Sequence, residues 1–204
     1  LMQRYLLIIM ICLGSNPVFA SPFSIQGDTL IYNTEDGEDD GIALGHAELL
    51  LDALHNNKDI KLIKLHSAGG VRIEAQYMAD IIIDAGLDTH VDEECSSSCV
   101  RMFLAGKKRT ADLGAQIGFH RGHWSADGMR KYYENNKEIN DWNTPFDFAA
   151  WIYDEAQIDV HEFITYLTTR GVSTDIAAKT YRLGQDEMWF PRRNELLSSG
   201  ILTE

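Results

Sequence analysis

Positive charge is scarce in this sequence: 18 Lys and Arg stand against 31 Asp and Glu over 204 residues, a formal net charge of −13. No polybasic stretch is present either, so nucleic acid and anionic membrane surfaces are excluded as expected partners, both being bound through clustered Lys and Arg. Cysteine is sparse, with three in the chain. Repeats and low-complexity segments are absent, which removes solenoids and linker-like chains. The apolar run from Leu6 to Leu13 falls well short of the roughly 20 residues that a bilayer crossing needs.

That run fits a signal peptide. Arg4 precedes it, and Gly14-Ser15-Asn16-Pro17 leads on to Val18-Phe19-Ala20, a layout that predicts cleavage after Ala20. Lipid anchoring at Cys12 is disfavoured, because bulky Met10 and Ile11 stand where a lipobox carries small residues. Export to a periplasmic or extracellular compartment is therefore expected, with residues 1–20 removed and no stable membrane insertion afterwards. Loss of Arg4 leaves 17 Lys and Arg against 31 Asp and Glu, a charge of −14 on residues 21–204. That length suits one domain with its own core. Cys95 and Cys99 stay with it, an even number in a compartment that permits disulfides.

The pattern along the chain predicts an α/β domain. Ser24 to Asn33 reads as a strand pair or one bent strand, with Gly27-Asp28 as the turn. The acidic loop from Glu35 to Gly41 lacks the ligand spacing of an EF-hand and is expected to be solvated. Ala47, Leu50, Leu51 and Leu54 mark a helix face, and Ile60, Leu62, Ile63 and Leu65 a strand. Ile73, Tyr77, Ile81 and Ala85 then recur every four residues up to Gly86, a C-cap, and Thr89 to Val91 reads as the next strand. Strand, helix, strand in this order implies a parallel pair with a right-handed crossover. Ser97 to Gly106 reads as a buried helix, followed by short strands at Arg109–Ala111 and Gln116–His120. The last third is mostly helical. Thr144-Pro145-Phe146-Asp147 and Asp159-Val160-His161-Glu162 have capping-box spacing, a helix spans Pro191 to Ser199 before Gly200, and a strand closes the chain at Ile201–Thr203. Trp142, Phe146, Phe148, Trp151 and Tyr153 read as core or subunit interface. Arg121, Trp124, Tyr132 and Tyr133 suit a cleft lining, a lid or an oligomer contact.

Three stretches together suit an acyl-transfer site. His66-Ser67-Ala68-Gly69-Gly70 ends a strand and enters a helix, where outward backbone N–H groups can hold an oxyanion or simply mark a turn. Ser96-Ser97-Ser98 offers a hydroxyl as nucleophile, or as a helix N-cap. His120, after Ile117-Gly118-Phe119, can act as the base if it reaches that hydroxyl.

Those three stretches resemble the proteolytic subunit of the Clp protease, in which the first reads asparagine-serine-proline-glycine-glycine, the helix starts with the catalytic serine and the following strand ends in the catalytic histidine. The likeness covers Ile60 to His120 and, more loosely, Met188 to Thr203. It is shared with exported bacterial relatives that carry a serine between two cysteines and a glycine-phenylalanine-histidine strand end. The resemblance implies a Clp-protease/crotonase-like fold of repeated β-α-β units, with a mostly parallel sheet flanked by helices. It further implies catalytic Ser97 and His120, an oxyanion hole from the N–H groups of Gly70 and Ser98, a peptide or small acyl substrate, no cofactor, and a homo-oligomer. The chain departs from the family at Ala68, His66 and Ser98. Met188 falls where the family has its aspartate, which leaves Asp186 as the candidate to orient His120, or a dyad without an acid. A non-catalytic binding or assembly protein of the same fold is the alternative.

Cys95 and Cys99 flank Ser97 symmetrically. On a helix their Cα atoms would lie about 6 Å apart, within disulfide range, so that a bond there would brace the serine turn. Free thiols are open as well, and so is zinc held by Cys95, Cys99, His120 and His123, although the compartment and the spacing speak against it.

Overall fold

A computed structural model describes residues 21–36 and 41–204. The expected signal peptide and the middle of the acidic loop lie outside the described residues.

Strands β1 (Phe23–Gln26) and β2 (Thr29–Asn33) form an antiparallel hairpin about Gly27-Asp28. From β2 onward the sheet is parallel. Helix α1 (His46–Asn56) leads to β3 (Leu62–Ser67), and α2 (Arg72–Ala85) leads to β4 (Asp88–Ser96), in the order β1-β2-β3-β4. Strand β4 is long enough to take two partners on one edge. Its Thr89–Val91 part pairs with β5 (Arg109–Ala111), and its Glu94–Ser96 part with β6 (Gln116–Gly118), both in parallel. Alternate residues of β3 are fully buried, Ile63, Leu65 and Ser67, as expected of a strand covered by helices.

Helix α2 is where the periodicity predicts, and Gly86 caps it in the left-handed conformation with its N–H on the carbonyls of Ile82 and Ile83. Its buried face is different. Ala75, Met78, Ala79 and Ile82 go inward, whereas Ile73 and Tyr77 stay about half exposed. Glu74 shares the buried face because its carboxylate accepts from the Gly45 and Ala47 N–H groups at the start of α1, at 3.0 and 2.6 Å. A buried carboxylate thus satisfies donors that a helix start leaves open.

Helix α3 (Cys99–Ala105) is the centre of the core, with all but Arg101 buried. Burying Met102, Phe103 and Leu104 stabilises the fold by roughly 1.5–3 kcal/mol each. Its C-terminal carbonyls are held by arginine. Arg170 donates to Leu104, Ala105 and Gly106, while buried Arg109 donates to Gly106, Arg170, Gly200 and Ile201. The Arg109 guanidinium has its pKa lowered by burial and then by Arg170 beside it. This clamp replaces the expected last strand: Ile201–Thr203 is irregular, pinned by Arg109 and by the Thr203 N–H on the Arg109 carbonyl.

Helices α4 (Ala126–Asn136) and α5 (Pro145–Thr169) are stitched together by aromatic rings, with Tyr132 stacked on Trp151 at 5.9 Å and Trp142 tilted against Phe148 at 5.0 Å. Trp142 and Phe148 are buried there, but Phe146 and Tyr153 are exposed. The Thr144–Asp147 capping box starts α5 as its sequence requires. The second box does not start a helix: Asp159 lies inside the 25-residue α5 and pairs with Arg72 at 2.6 Å. Tyr166 fastens α5 to the core by donating to the Arg101 carbonyl at 2.7 Å. Burial pushes its pKa up to about 12. Helices α6 (Asp175–Thr180) and α7 (Arg193–Ser198) complete the chain.

Candidate active site

The site is built where β3, β4 and β6 end side by side. Cys95 pairs with Ser67 of β3 on one side and Ile117 of β6 on the other, so the residues that follow these strands emerge together. After β4 the chain turns sharply into α3. Ser97 takes this turn with φ 57°, in the left-handed region. For a residue other than glycine such a conformation costs on the order of 1–3 kcal/mol and is found where function demands it. Its N–H donates to the Gly118 carbonyl at 2.9 Å, which ties the turn to β6. Ser97 is therefore not the helix cap; α3 begins two residues later, and the serine side chain is left to the site.

His120 follows β6. The neighbouring Phe119 forms an antiparallel bridge with Trp189, N–H to carbonyl in both directions at 2.9 and 2.8 Å, which holds the end of the strand. This places His120 Nε2 2.6 Å from Ser97 Oγ, a short hydrogen bond. On the other side of the ring, Nδ1 lies 3.0 Å from the Arg121 carbonyl. A carbonyl can only accept, so Nδ1 carries a proton, and in the neutral ring Nε2 presents its lone pair to the serine hydroxyl. That is the tautomer a general base needs.

The other wall is the glycine pair. Gly69 and Gly70 take φ 107° and 147°, open to glycine and poorly accessible to other residues. They pack directly on the serine turn: a Cβ on Gly69 would fall 2.7 Å from Ser97 Cβ. Gly70 bridges Ile42 in parallel, the Ile42 N–H donating to the Gly69 carbonyl and the Val71 N–H to the Ile42 carbonyl. The Gly70 N–H thus faces away from Ile42, and within the described structure it has no acceptor. The Ser98 N–H has none either. The Ser98 hydroxyl donates to the Gly70 carbonyl at 3.1 Å and binds the two donor residues together.

Ser97, His120, Gly70 and Ser98 are thus brought together, whereas Asp186 is not brought to His120. It sits in an exposed turn before Trp189, and Arg121 supplies the group on Nδ1 through its backbone. The reason is local, since the chain leaves β6 in a conformation that folds the Arg121 carbonyl back on the imidazole. Cys95 and Cys99 are joined in a disulfide, both fully buried, with Cα atoms 5.3 Å apart. Their sulfurs are therefore unavailable as thiols or zinc ligands. Among the described residues no group of three or more His, Cys, Asp and Glu is arranged to hold a metal.

Glu35 is a site residue that the sequence pattern leaves in the solvated loop. Its carboxylate accepts from the Ala68 N–H at 2.8 Å, and Thr34 Oγ1 donates to Ser67 Oγ, which in turn accepts from the Gly69 N–H at 3.1 Å. These bonds fix the glycine loop from below. Two of them span 33 residues, and no local pattern announces them.

A mostly parallel sheet flanked by helices, with a serine turn after the long strand and a histidine after the strand beside it, defines the class: the chain has a Clp-protease-like α/β fold. Two solved structures carry the likeness. ClpP1 from Listeria monocytogenes superposes with a TM-score of 0.60 at 14% identity, over 87% of this chain and 90% of that one. A point mutant of ClpP1 from the same organism gives a TM-score of 0.54 at 18% identity, over 80% of this chain and 85% of that one. No protein-family model matches the sequence, and no curated protein sequence matches it.

Proposed function

We propose that this chain is an exported serine hydrolase, acting on a peptide or small acyl substrate through a Ser97–His120 dyad. The observation that carries this reading is the 2.6 Å contact between Ser97 Oγ and His120 Nε2. In the reaction Ser97 Oγ attacks the substrate carbonyl while His120 Nε2 takes the hydroxyl proton. The tetrahedral oxyanion is held by the N–H groups of Gly70 and Ser98, donors without partners among the described residues, the kind of arrangement that lowers such barriers most. His120 then returns the proton to the leaving group, and water repeats the sequence on the acyl-enzyme.

The Arg121 carbonyl plays the part that a carboxylate plays in a triad. It fixes ring orientation and tautomer, and it faces the imidazolium with a dipole instead of a full charge. A slower enzyme than a full triad is the consequence. Export is supported by the buried Cys95–Cys99 bond, because disulfides are rare in reducing compartments.

A fluorophosphonate probe tests the reading. Labelling of the wild-type chain is expected at Ser97, with loss in Ser97→Ala and a drop of at least about 100-fold in His120→Ala, the scale of general base catalysis. Labelling that persists in Ser97→Ala, or no labelling of a folded wild-type chain, would leave a binding or assembly protein as the better description.

A further inference from the structure

We propose that the Cys95–Cys99 disulfide is a positioning bond for the nucleophile, selecting the strained serine turn over an ordinary helix start. The proposal rests on the hydrolase reading of Ser97, and it concerns how that side chain is kept where the reaction needs it.

The competing conformation is written in the sequence. Ser96, Ser97 and Ser98 precede an apolar helix, and serine is a preferred helix N-cap. If α3 extended back by one turn, Ser97 would take helical backbone angles and lose both its left-handed conformation and its N–H bond to the Gly118 carbonyl. On a continuous helix, side chains four residues apart have Cβ atoms about 5–6 Å apart. A disulfide needs about 3.5–4.5 Å. A helix would pass on Cα spacing, but its Cβ spacing is too wide, so the bond between positions 95 and 99 disfavours helix across them and fits the turn, where the Cα atoms close to 5.3 Å.

Its anchorage points the same way. Cys95 belongs to the ladder that joins β3, β4 and β6, the three strands whose ends carry Gly69-Gly70, Ser97 and His120. Cys99 is the first residue of α3. The bond therefore ties the start of the helix to the strands that set the other groups of the site. As a general staple it is poorly chosen. Stabilisation through the unfolded chain grows with loop length, and the two cysteines are only 4 positions apart. A domain of this size does not depend on such staples. Both cysteines are fully buried, so the bond is a permanent part of the turn.

The experiment compares the wild-type chain with Cys95→Ala/Cys99→Ala. Three quantities are read: the rate of fluorophosphonate labelling at Ser97, amide hydrogen exchange at Ser97 with Val91 as internal reference, and the 15N resonance of His120 Nε2. Without the bond, labelling is expected to slow about tenfold or more and Ser97 exchange to accelerate by a similar factor. The Nε2 resonance should move towards that of an imidazole without the serine contact, while Val91 keeps its protection and unfolding stays cooperative. A second route keeps every side chain: the wild-type chain is unfolded, reduced with dithiothreitol, which gives up two electrons and leaves as its cyclic disulfide while Cys95 and Cys99 become thiols, and then refolded anaerobically. Unchanged Ser97 exchange and an unchanged Nε2 resonance in both forms would overturn the proposal. So would global unfolding in both, which would make the bond a general staple. Should the wild-type chain fail to label, the hydrolase reading falls, and the exchange and resonance measurements still decide the role of the bond.

Discussion

Adding a single methyl group at Gly69 probes how closely the two halves of the site are fitted. At φ 107° an ideal Cβ on this residue lies 2.7 Å from Ser97 Cβ, 2.9 Å from the Ser96 carbonyl oxygen and 3.1 Å from the Ser98 nitrogen. Carbon atoms pack at about 3.5–4.0 Å, so the glycine loop must retreat from the serine turn by about 1 Å. Retreat is opposed by the Gly69 N–H on Ser67 Oγ and by the Gly69 carbonyl under the Ile42 N–H at 2.7 Å. Two of the atoms met are backbone, and they cannot swing aside as a side chain would. Strain at this φ costs on the order of 1–3 kcal/mol, and overpacking about the same. Together these lower the melting temperature by about 10 °C in a chain of this length. The retreat also carries the Gly70 N–H away from the proposed oxyanion position, and a misplacement of about 1 Å is worth roughly 100-fold in rate. The assay pairs a thermal melt by circular dichroism with the fluorophosphonate labelling rate of Gly69→Ala. A variant that melts with the wild type and labels at its rate would refute the close packing of the glycine loop on the serine turn.

Two further outcomes are expected. Because the Arg121 carbonyl already occupies His120 Nδ1, Asp186→Asn should leave labelling within about twofold; a loss of ~100-fold or more, the scale of losing a general base, would restore the carboxylate as the orienting group. Tyr166 makes stability depend on pH at the alkaline end. Its phenol ionises near 10 in the unfolded chain and at about 12 in the fold, so between these values the unfolded state loses a proton that the folded state keeps. Stability is thus complete below about pH 10 and falls by about 2–3 kcal/mol as pH rises towards 12. Urea midpoints at about pH 9 and 11.5, on either side of the onset of that loss, measure it, and Tyr166→Phe should remove this step; an identical alkaline loss in that variant would assign it elsewhere.

The elements were largely legible because they depend on neighbours in sequence. The hairpin about Gly27-Asp28, the Gly86 cap, the Thr144–Asp147 box and the apolar run of α3 are decided within a turn or a strand length. So was the candidacy of Ser97, His120 and the glycine pair, through spacing and resemblance. The buried face of α2 was not legible, since Glu74 went inward to meet donors at the start of α1, and periodicity ranks a glutamate as surface. Asp159 illustrates the opposite failure: a capping pattern in sequence became an ion pair with Arg72 once Pro145 to Thr169 ran as one helix.

What the sequence by itself determined is the acidic balance, the order of strands and helices as far as β6, and the residue types able to carry acyl chemistry. Tertiary structure decided which of them meet. Only the convergence of β3, β4 and β6 sets Ser97 Oγ 2.6 Å from His120 Nε2 and leaves the Gly70 and Ser98 N–H groups without partners among the described residues. It also put a backbone carbonyl where an aspartate was expected, and joined Cys95 to Cys99 across the turn. The physical reason is range. Hydrogen bonds and packing contacts act over a few ångströms, so a pattern along the chain can nominate groups, while only the folded path can bring residues 23, 28 or 33 positions apart within that reach.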